Sequence, residues 1–177
     1  MSSSDRRLFL ARLGAGTLGL GAAVGLGGCG FTPVYGPGGS AAGLRGRIRV
    51  GDPKSRRGFM LVGRLEERLG RPSAPDFELD FKLGTRSEGV AISSSNDIER
   101  YQLFGNVDFT LRPLGGTQVL TTGRVRSFTS YSTTSLTVGT LAAEEDAYDR
   151  LMVSLADLVV AELLATAVDW NAGGRAR

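Results

Sequence analysis

Alternating apolar and polar residues predict four strands, and a longer period predicts two helices. In DFELDFKL every second residue from Phe77 to Leu83 is apolar and the residues between them are charged, as in a strand with one buried face. Gly115 and Gly116 predict a turn between the last two strands. The other strands are predicted in RGRIRVG (45–51), YQLFGNVDFTLRPL (101–114) and TQVLTTGRVRSFTSY (117–131).

The helical period appears twice. In SRRGFMLVGRLEERL (55–69), the apolar face is predicted to hold Phe59, Val62, Leu65 and Leu69, and Ser55 is the predicted N-cap. The second helix is predicted in TLAAEEDAYDRLMVSLADLVVAELLATAVDW (140–170). Its acidic residues 144–146 are predicted to lie in the first turn, where the helix dipole favours negative charge. Its apolar face runs through Tyr148, Leu151, Leu155, Val159 and Leu163.

The order strand, helix, three strands, helix predicts an α+β fold. Half-buried strands and amphipathic helices bury each other's apolar faces, so we expect a two-layer sandwich. The sheet would have about four strands, mainly antiparallel or mixed, with both helices on one face. One domain is predicted from residue 47 to residue 170, with a disordered tail at 171–177. The expected core includes Phe77, Phe81, Val107, Phe109, Leu151 and Leu155.

The N-terminus has the pattern of a lipoprotein signal peptide. Three arginines precede an uncharged stretch from Leu13 to Leu26. At about 1.5 Å per residue this stretch spans roughly 21 Å, which is too short to cross a hydrocarbon core of about 30 Å. Leu26-Gly27-Gly28-Cys29 resembles the lipobox of bacterial lipoproteins, which implies cleavage after residue 28 and acylation of Cys29. Residues 29–46, rich in Gly and Pro, are the predicted flexible tether.

Two further features concern export and sorting. The run Arg6-Arg7-Leu8-Phe9-Leu10 resembles a twin-arginine signal, but adjacent arginines are also common in ordinary signal peptides, so both export routes stay open. The residue after the cysteine is Gly30 and not Asp, which by the sorting rule known for some bacteria favours the outer membrane.

The amino-acid composition argues against several classes of function. The chain has 21 Lys and Arg residues and 18 Asp and Glu residues, and residues 1–28 contain three of the arginines and one aspartate. The mature part is therefore nearly neutral, which argues against a general nucleic-acid-binding protein. The chain has no histidine and a single cysteine, and no nucleophile–base pair or phosphate-binding loop is found. We expect neither an enzyme nor a bound metal or cofactor.

Two motifs resemble the lipopolysaccharide (LPS)-assembly lipoproteins of alphaproteobacteria. CGFTPVYG matches the start of the mature family members at Cys29, Gly30, Phe31, Pro33, Val34, Tyr35 and Gly36. AAEEDA, residues 142–147, matches the segment that leads into the family's last helix. The resemblance implies a lipoprotein anchored in the inner leaflet of the outer membrane. It would form a one-to-one complex with the β-barrel LPS translocon, plug the barrel, assist its assembly and contact LPS.

Candidate LPS-binding residues follow from strand parity. Arginine binds phosphate with a planar bidentate fork, and lipid A carries phosphates. The arginines expected on the outward sheet face are Arg47, Arg49, Arg112, Arg124 and Arg126. An arginine at such a position is more often an ordinary solvated charge, and these five candidates rest on strand parity alone. Two other functions stay open, an auxiliary lipoprotein of an ABC-type lipid transport system and a lipid-anchored periplasmic enzyme.

Overall fold

The computed structural model describes residues 36, 39, 41, 43–92, 98–133 and 137–171. The predicted signal peptide (1–28), Cys29 and the tail beyond Asn171 lie outside the described residues. Of the predicted tether, Ala41 and Leu44 are buried against Ala167, close to the C-terminal end of the last helix.

In the part of the chain that the structure describes, four strands form one sheet, and two helices complete the fold. In chain order the elements are β1 (Ile48–Val50), α1 (Arg56–Leu69), β2 (Phe77–Ile92), β3 (Ile98–Pro113), β4 (Thr121–Ser132) and α2 (Thr137–Trp170). The strand order is β1-β2-β3-β4, with β1 parallel to β2 and the other neighbours antiparallel. The predicted α+β fold and its element order are confirmed.

The core lies between the helices and the inward face of the sheet. Val107, Phe109, Leu151 and Leu155 are buried as expected. Phe77 and Phe81 are half-buried and pack against this core. Gly105 lets α2 approach β3 closely, since a Cβ at this position would lie 2.6 Å from Leu155 Cδ1.

Helix α1 begins and ends as the sequence predicts, but one face residue was assigned wrongly. Ser55 Oγ accepts a hydrogen bond from Gly58 N at 3.1 Å, and Gly70, with φ of 82°, ends the helix. Phe59 is 64 % exposed and lies outside the buried face. That face contains Leu61, which stands about 200° around the helix from Phe59 at 100° per residue.

Helix α2 starts three residues before its predicted beginning, because the chain stays helical through Gly139. Residues 144–146 therefore lie beyond the first turn, which contains no acidic residue, and that prediction was wrong. By length and composition, Val138–Trp170 is apolar enough to cross a membrane, with a mean hydropathy of 2.0 in its most apolar window. Its buried residues Leu151, Leu155 and Val159 belong to the core, as in the core helix of a globular domain.

Polar side chains join the two helices to each other and to the sheet. The guanidinium of Arg64 donates to both carboxylate oxygens of Asp157, each at 3.1 Å. The guanidinium carbon of Arg57 lies 3.4 Å from the ring centre of Tyr148, and its Nη1 donates to Thr85 Oγ1 at 3.1 Å. These contacts fix the relative position of α1, α2 and β2.

The last strand begins later than predicted. β4 starts at Thr121 and not at residue 117, so Val119 lies in the preceding loop and is 50 % exposed. Gly115 has φ of 72°, the conformation expected of a turn glycine. Arg124 and Arg126 are exposed at alternate positions of β4, as the alternation predicts.

Candidate ligand-binding surface

The outward sheet face near β1 is occupied by ion pairs. Arg47, just before β1, pairs with Asp76. Arg49 Nη2 lies 2.7 Å from Glu78 Oε1 on the neighbouring strand. Both arginines are candidates from the sequence, and in this structure each has a carboxylate partner.

Two more candidate arginines bridge neighbouring strands in the same way. Arg112 of β3 pairs with Asp80 of β2, and Arg124 of β4 pairs with Asp108 of β3. The hydrogen bond from Arg124 lowers the pKa of Asp108, and the bond to Asp108 raises the pKa of Arg124. Opposite charges on adjacent strands support the pairing of the sheet.

Arg126 differs from the other four candidates. It stands opposite Asn106 in the β3–β4 register, and within the described residues no carboxylate forms an ion pair with it. An anion can therefore bind its guanidinium without first displacing a carboxylate.

A shallow depression lies beside Arg126. It has a volume of ≈ 610 Å³, and among the described residues three arginines and no carboxylate line it. Two of these three arginines have carboxylate partners that do not line the depression. Arg86 Nε lies 2.7 Å from Glu88 Oε1, and Arg124 pairs with Asp108. The main lining residues are Gly84, Arg86, Phe104, Asn106, Arg124 and Arg126.

The floor of the depression depends on a glycine. A Cβ at Gly84 would lie 2.6 Å from Oδ1 of Asn106. The absence of a side chain at Gly84 therefore lets the Asn106 amide lie across the strand. The amide offers both a donor and an acceptor to a ligand.

Aromatic rings border the depression. The guanidinium carbon of Arg86 lies 4.3 Å from the ring centre of Phe104, and the ring centres of Phe104 and Phe128 are 6.4 Å apart. Phe128 is 66 % exposed, an unusual position for a phenylalanine. We call Arg86, Phe104, Arg124, Arg126 and Phe128 the basic-aromatic surface.

Sequence reasoning missed three members of this surface, namely Arg86, Phe104 and Phe128. The alternation in the third and fourth predicted strands places Phe104 and Phe128 on the outward face. Arg86 lies beyond the predicted strand DFELDFKL, because β2 continues to Ile92. Arginine forks beside apolar ring faces can hold an amphipathic anion, such as a phosphorylated or carboxylated glycolipid head group. Among the described residues, no group of three or more His, Cys, Asp or Glu is placed to hold a metal ion.

The family model for LptE, described as lipopolysaccharide-assembly, matches residues 46–163 of the 177-residue chain. The chain belongs to the LptE family. The matched residues cover β1 to β4, α1 and most of α2. The resemblance inferred from the two sequence motifs is thereby confirmed. No curated protein matches the chain in sequence.

Solved structures of two lipoproteins share the fold of this LptE-family protein. A putative lipoprotein from Caulobacter crescentus is 19% identical with a TM-score of 0.63, over 75% of this chain and 98% of its own. Rare lipoprotein B from Shewanella oneidensis is 13% identical with a TM-score of 0.54, over 71% of this chain and 97% of its own. At these identities the likeness concerns the fold alone.

Proposed function

We propose that this LptE-family protein is an acylated outer-membrane lipoprotein that works with the β-barrel LPS translocon. It binds the barrel one to one, occupies its lumen, assists its assembly and contacts LPS on the way to the cell surface. The observation that carries the proposal is the LptE family match over residues 46–163. No catalytic step is assigned to the protein.

The membrane anchor is the acylated Cys29. Residues 1–28 direct export and are removed, and residues 29–46 connect the acylated cysteine to the domain. The basis is the sequence Leu26-Gly27-Gly28-Cys29 after a short apolar segment. Two or three acyl chains on one cysteine anchor a protein stably, whereas a single chain is marginal.

The outward sheet face suits a position inside a barrel. The lumen of a transmembrane barrel is polar, and a plug needs a polar surface against it. Ion pairs such as Arg49–Glu78 and Arg112–Asp80 cover this face, while the helices cover the other. An apolar face toward the lumen would have argued against the proposal.

LPS contact is assigned to the basic-aromatic surface. Arg126 lacks an ion-pair partner among the described residues, and Arg86 and Arg124 line the same depression. Fork-shaped guanidinium groups bind phosphates, and electrostatic attraction is stronger in a secluded lumen than on an open surface. Arg47, Arg49 and Arg112 have carboxylate partners and are secondary candidates.

Depletion in the native bacterium tests the role in the cell. We expect less correctly assembled barrel and less surface LPS, with phospholipid transport little changed. Affinity isolation from detergent-solubilised outer membrane should recover the barrel. Normal barrel assembly and normal surface LPS after depletion would reject the proposal, and a defect confined to phospholipid transport would favour the ABC-transport auxiliary.

Charge reversal tests the binding surface separately. Arg126→Glu should weaken binding to purified LPS, while the thermal midpoint of unfolding stays close to that of the unmodified chain. Arg45→Glu is the matched control, because Arg45 is exposed, forms no ion pair among the described residues and lies outside the depression. If the two variants bind LPS with equal affinity, the basic-aromatic surface is not the LPS-binding site. The proposed role in LPS assembly, which rests on the family match, would be unaffected.

A further inference from the structure

Four segments meet at one end of the domain. Leu114, in the loop between β3 and β4, donates its backbone N–H to Asp76 O at 2.8 Å, and Asp76 N donates to Arg47 O at 2.9 Å. Leu44, just before β1, is buried with Ala167 in the last turn of α2. These contacts join the β3–β4 loop, the segment before β2, the segment before β1 and the end of α2. We call this the tether-side end, because the predicted tether reaches the domain here.

The tether-side end exposes apolar side chains at a loop tip. Residues 114–119 are all exposed, and they include Leu114, which is 41 % exposed, and Val119. Beside this loop, Trp170 is half-buried, and its ring centre lies 5.4 Å from that of Phe77. Apolar area gains free energy on leaving water, and tryptophan is enriched at membrane–water interfaces. The composition of this end therefore suits contact with the head-group region of a bilayer.

Positive charge predominates at the same end. Arg71 has 88 % side-chain exposure and only a long contact of 3.5 Å to Glu66. It belongs to this end, since a Cβ at Gly46 would lie 3.5 Å from Arg71 O. The sequence that follows α2, AGGRAR, adds two arginines and no acidic residue, against the exposed Asp169 in the last turn of α2. Basic residues next to a membrane attract anionic lipids.

We propose that the tether-side end docks on the anionic phospholipid surface of the membrane that holds the acyl chains, with Leu114 and Val119 in the head-group region. The proposal rests on the proposed acylation of Cys29, which brings that membrane close to this end. Docking concerns the lipoprotein before it joins the barrel. Only the strand ends meet the membrane, so the outward sheet face and its basic-aromatic surface stay uncovered for the barrel and for LPS.

The opposite end of the domain is a poorer candidate for this contact. It also exposes apolar residues, namely Val138 and Leu141 at the start of α2. Val138, however, is roughly 44 Å from Ala167 along the axis of α2, so this end lies far from the point where the tether enters. Glu145 and Asp146 are exposed next to it, and an anionic surface repels them. This end therefore supplies the control substitutions.

Vesicle binding without the lipid anchor tests the apolar contact. The mature chain with Cys29→Ser is mixed with vesicles of phosphatidylethanolamine and phosphatidylglycerol. Trp170 is the only tryptophan of the chain, so its emission reports on the tether-side end. We expect a blue shift and quenching by lipids brominated near the head group. Val119→Asp should weaken binding at least about fivefold, whereas Val138→Asp, the matched control at the opposite end, should leave binding unchanged.

A second pair of variants tests the charges. Arg175→Gln combined with Arg177→Gln should weaken binding to these vesicles about 20-fold, at about fivefold for each arginine. On vesicles of neutral phosphatidylcholine the same variant should bind like the chain with Cys29→Ser alone. Arg56→Gln combined with Arg100→Gln is the matched control, because both arginines are exposed at the opposite end. It should leave binding to either kind of vesicle unchanged.

Three results would overturn the proposal. These are a Trp170 emission that vesicles do not change, equal losses from Val119→Asp and Val138→Asp, and equal losses from the two arginine variants. Each of these measurements uses the chain without acyl groups. Such a failure would therefore leave the acyl anchor and the barrel partnership untouched, since mass spectrometry and depletion test those separately.

Discussion

Substitution of Gly105 by alanine should destabilise the fold, although alanine normally favours a strand over glycine. The backbone term would stabilise the variant by roughly 0.5–1 kcal/mol. A Cβ at residue 105, however, would lie 2.6 Å from Leu155 Cδ1 and 3.2 Å from Leu151 Cδ2. Overpacking of a filled core costs about 1–3 kcal/mol. The steric cost is the larger one, so we expect a net loss of about 1–2 kcal/mol.

The clash has one principal partner, which allows a sharper test. Leu155→Ala alone should cost about 2–5 kcal/mol, because Leu155 is fully buried. That variant also removes the atom nearest to the new Cβ. In its background, Gly105→Ala should therefore cost nothing or restore some stability, with a coupling energy of about 1–3 kcal/mol.

Urea unfolding of the mature chain with Cys29→Ser measures the four free energies of this cycle. Gly63→Ala is the matched control, since Gly63 is in α1 and a Cβ added there would have no neighbouring atom within 4 Å. It should stabilise the protein by up to about 1 kcal/mol through helix propensity alone. A neutral or stabilising Gly105→Ala, or strictly additive effects with Leu155→Ala, would refute the close approach of α2 to β3.

Three further outcomes are expected. Asp157→Ala should lower the thermal midpoint of unfolding more than Glu67→Ala, because Asp157 pairs with Arg64 and Arg68 across the two helices, whereas Glu67 pairs with Arg64 within α1. Arg124 lowers the pKa of Asp108, so their pair stabilises the fold fully above the ordinary carboxyl pKa. This stabilisation declines as the pH falls through the lowered pKa. The free energies of unfolding of Asp108→Asn and of the unmodified chain should therefore become equal in acid. Cys29→Ser should block processing in the cell, and intact mass spectrometry of the unmodified protein should show the loss of residues 1–28 and added acyl chains.

The periodic elements could be predicted from the sequence because their apolar spacing reports burial directly. The strand containing Leu79 and the helix containing Leu155 follow from alternation and from the helical period. Phe59 was misplaced because it lies about 60° around the helix from Val62, at the margin of the buried face, where spacing alone does not distinguish a buried residue from an exposed one. The packing of Leu61 and Leu65 in the core, with Phe59 outside it, determines where that margin lies.

The candidate binding surface was predicted less completely than the fold. Strand parity identified Arg124 and Arg126 but gave no information about which arginines meet carboxylates on neighbouring strands. That depends on register, which places Asp108 opposite Arg124 and Asn106 opposite Arg126. Phe128 was overlooked because only charged residues were considered as candidates on the outward face. Strand alternation shows that residue 128 faces outward but does not show that its ring takes part in a binding surface.

The burial of Ala41 against Ala167 has a consequence for the distance between the domain and the membrane. If Cys29 is the lipid attachment point, twelve peptide steps separate the anchor from Ala41. At 3.3–3.6 Å per residue their contour length is at most about 43 Å, whatever conformation they adopt. Residues inserted before Ala41 would increase the maximum distance between the domain and the membrane. Residues inserted between Ala41 and Leu44 would instead loosen the attachment point on the domain.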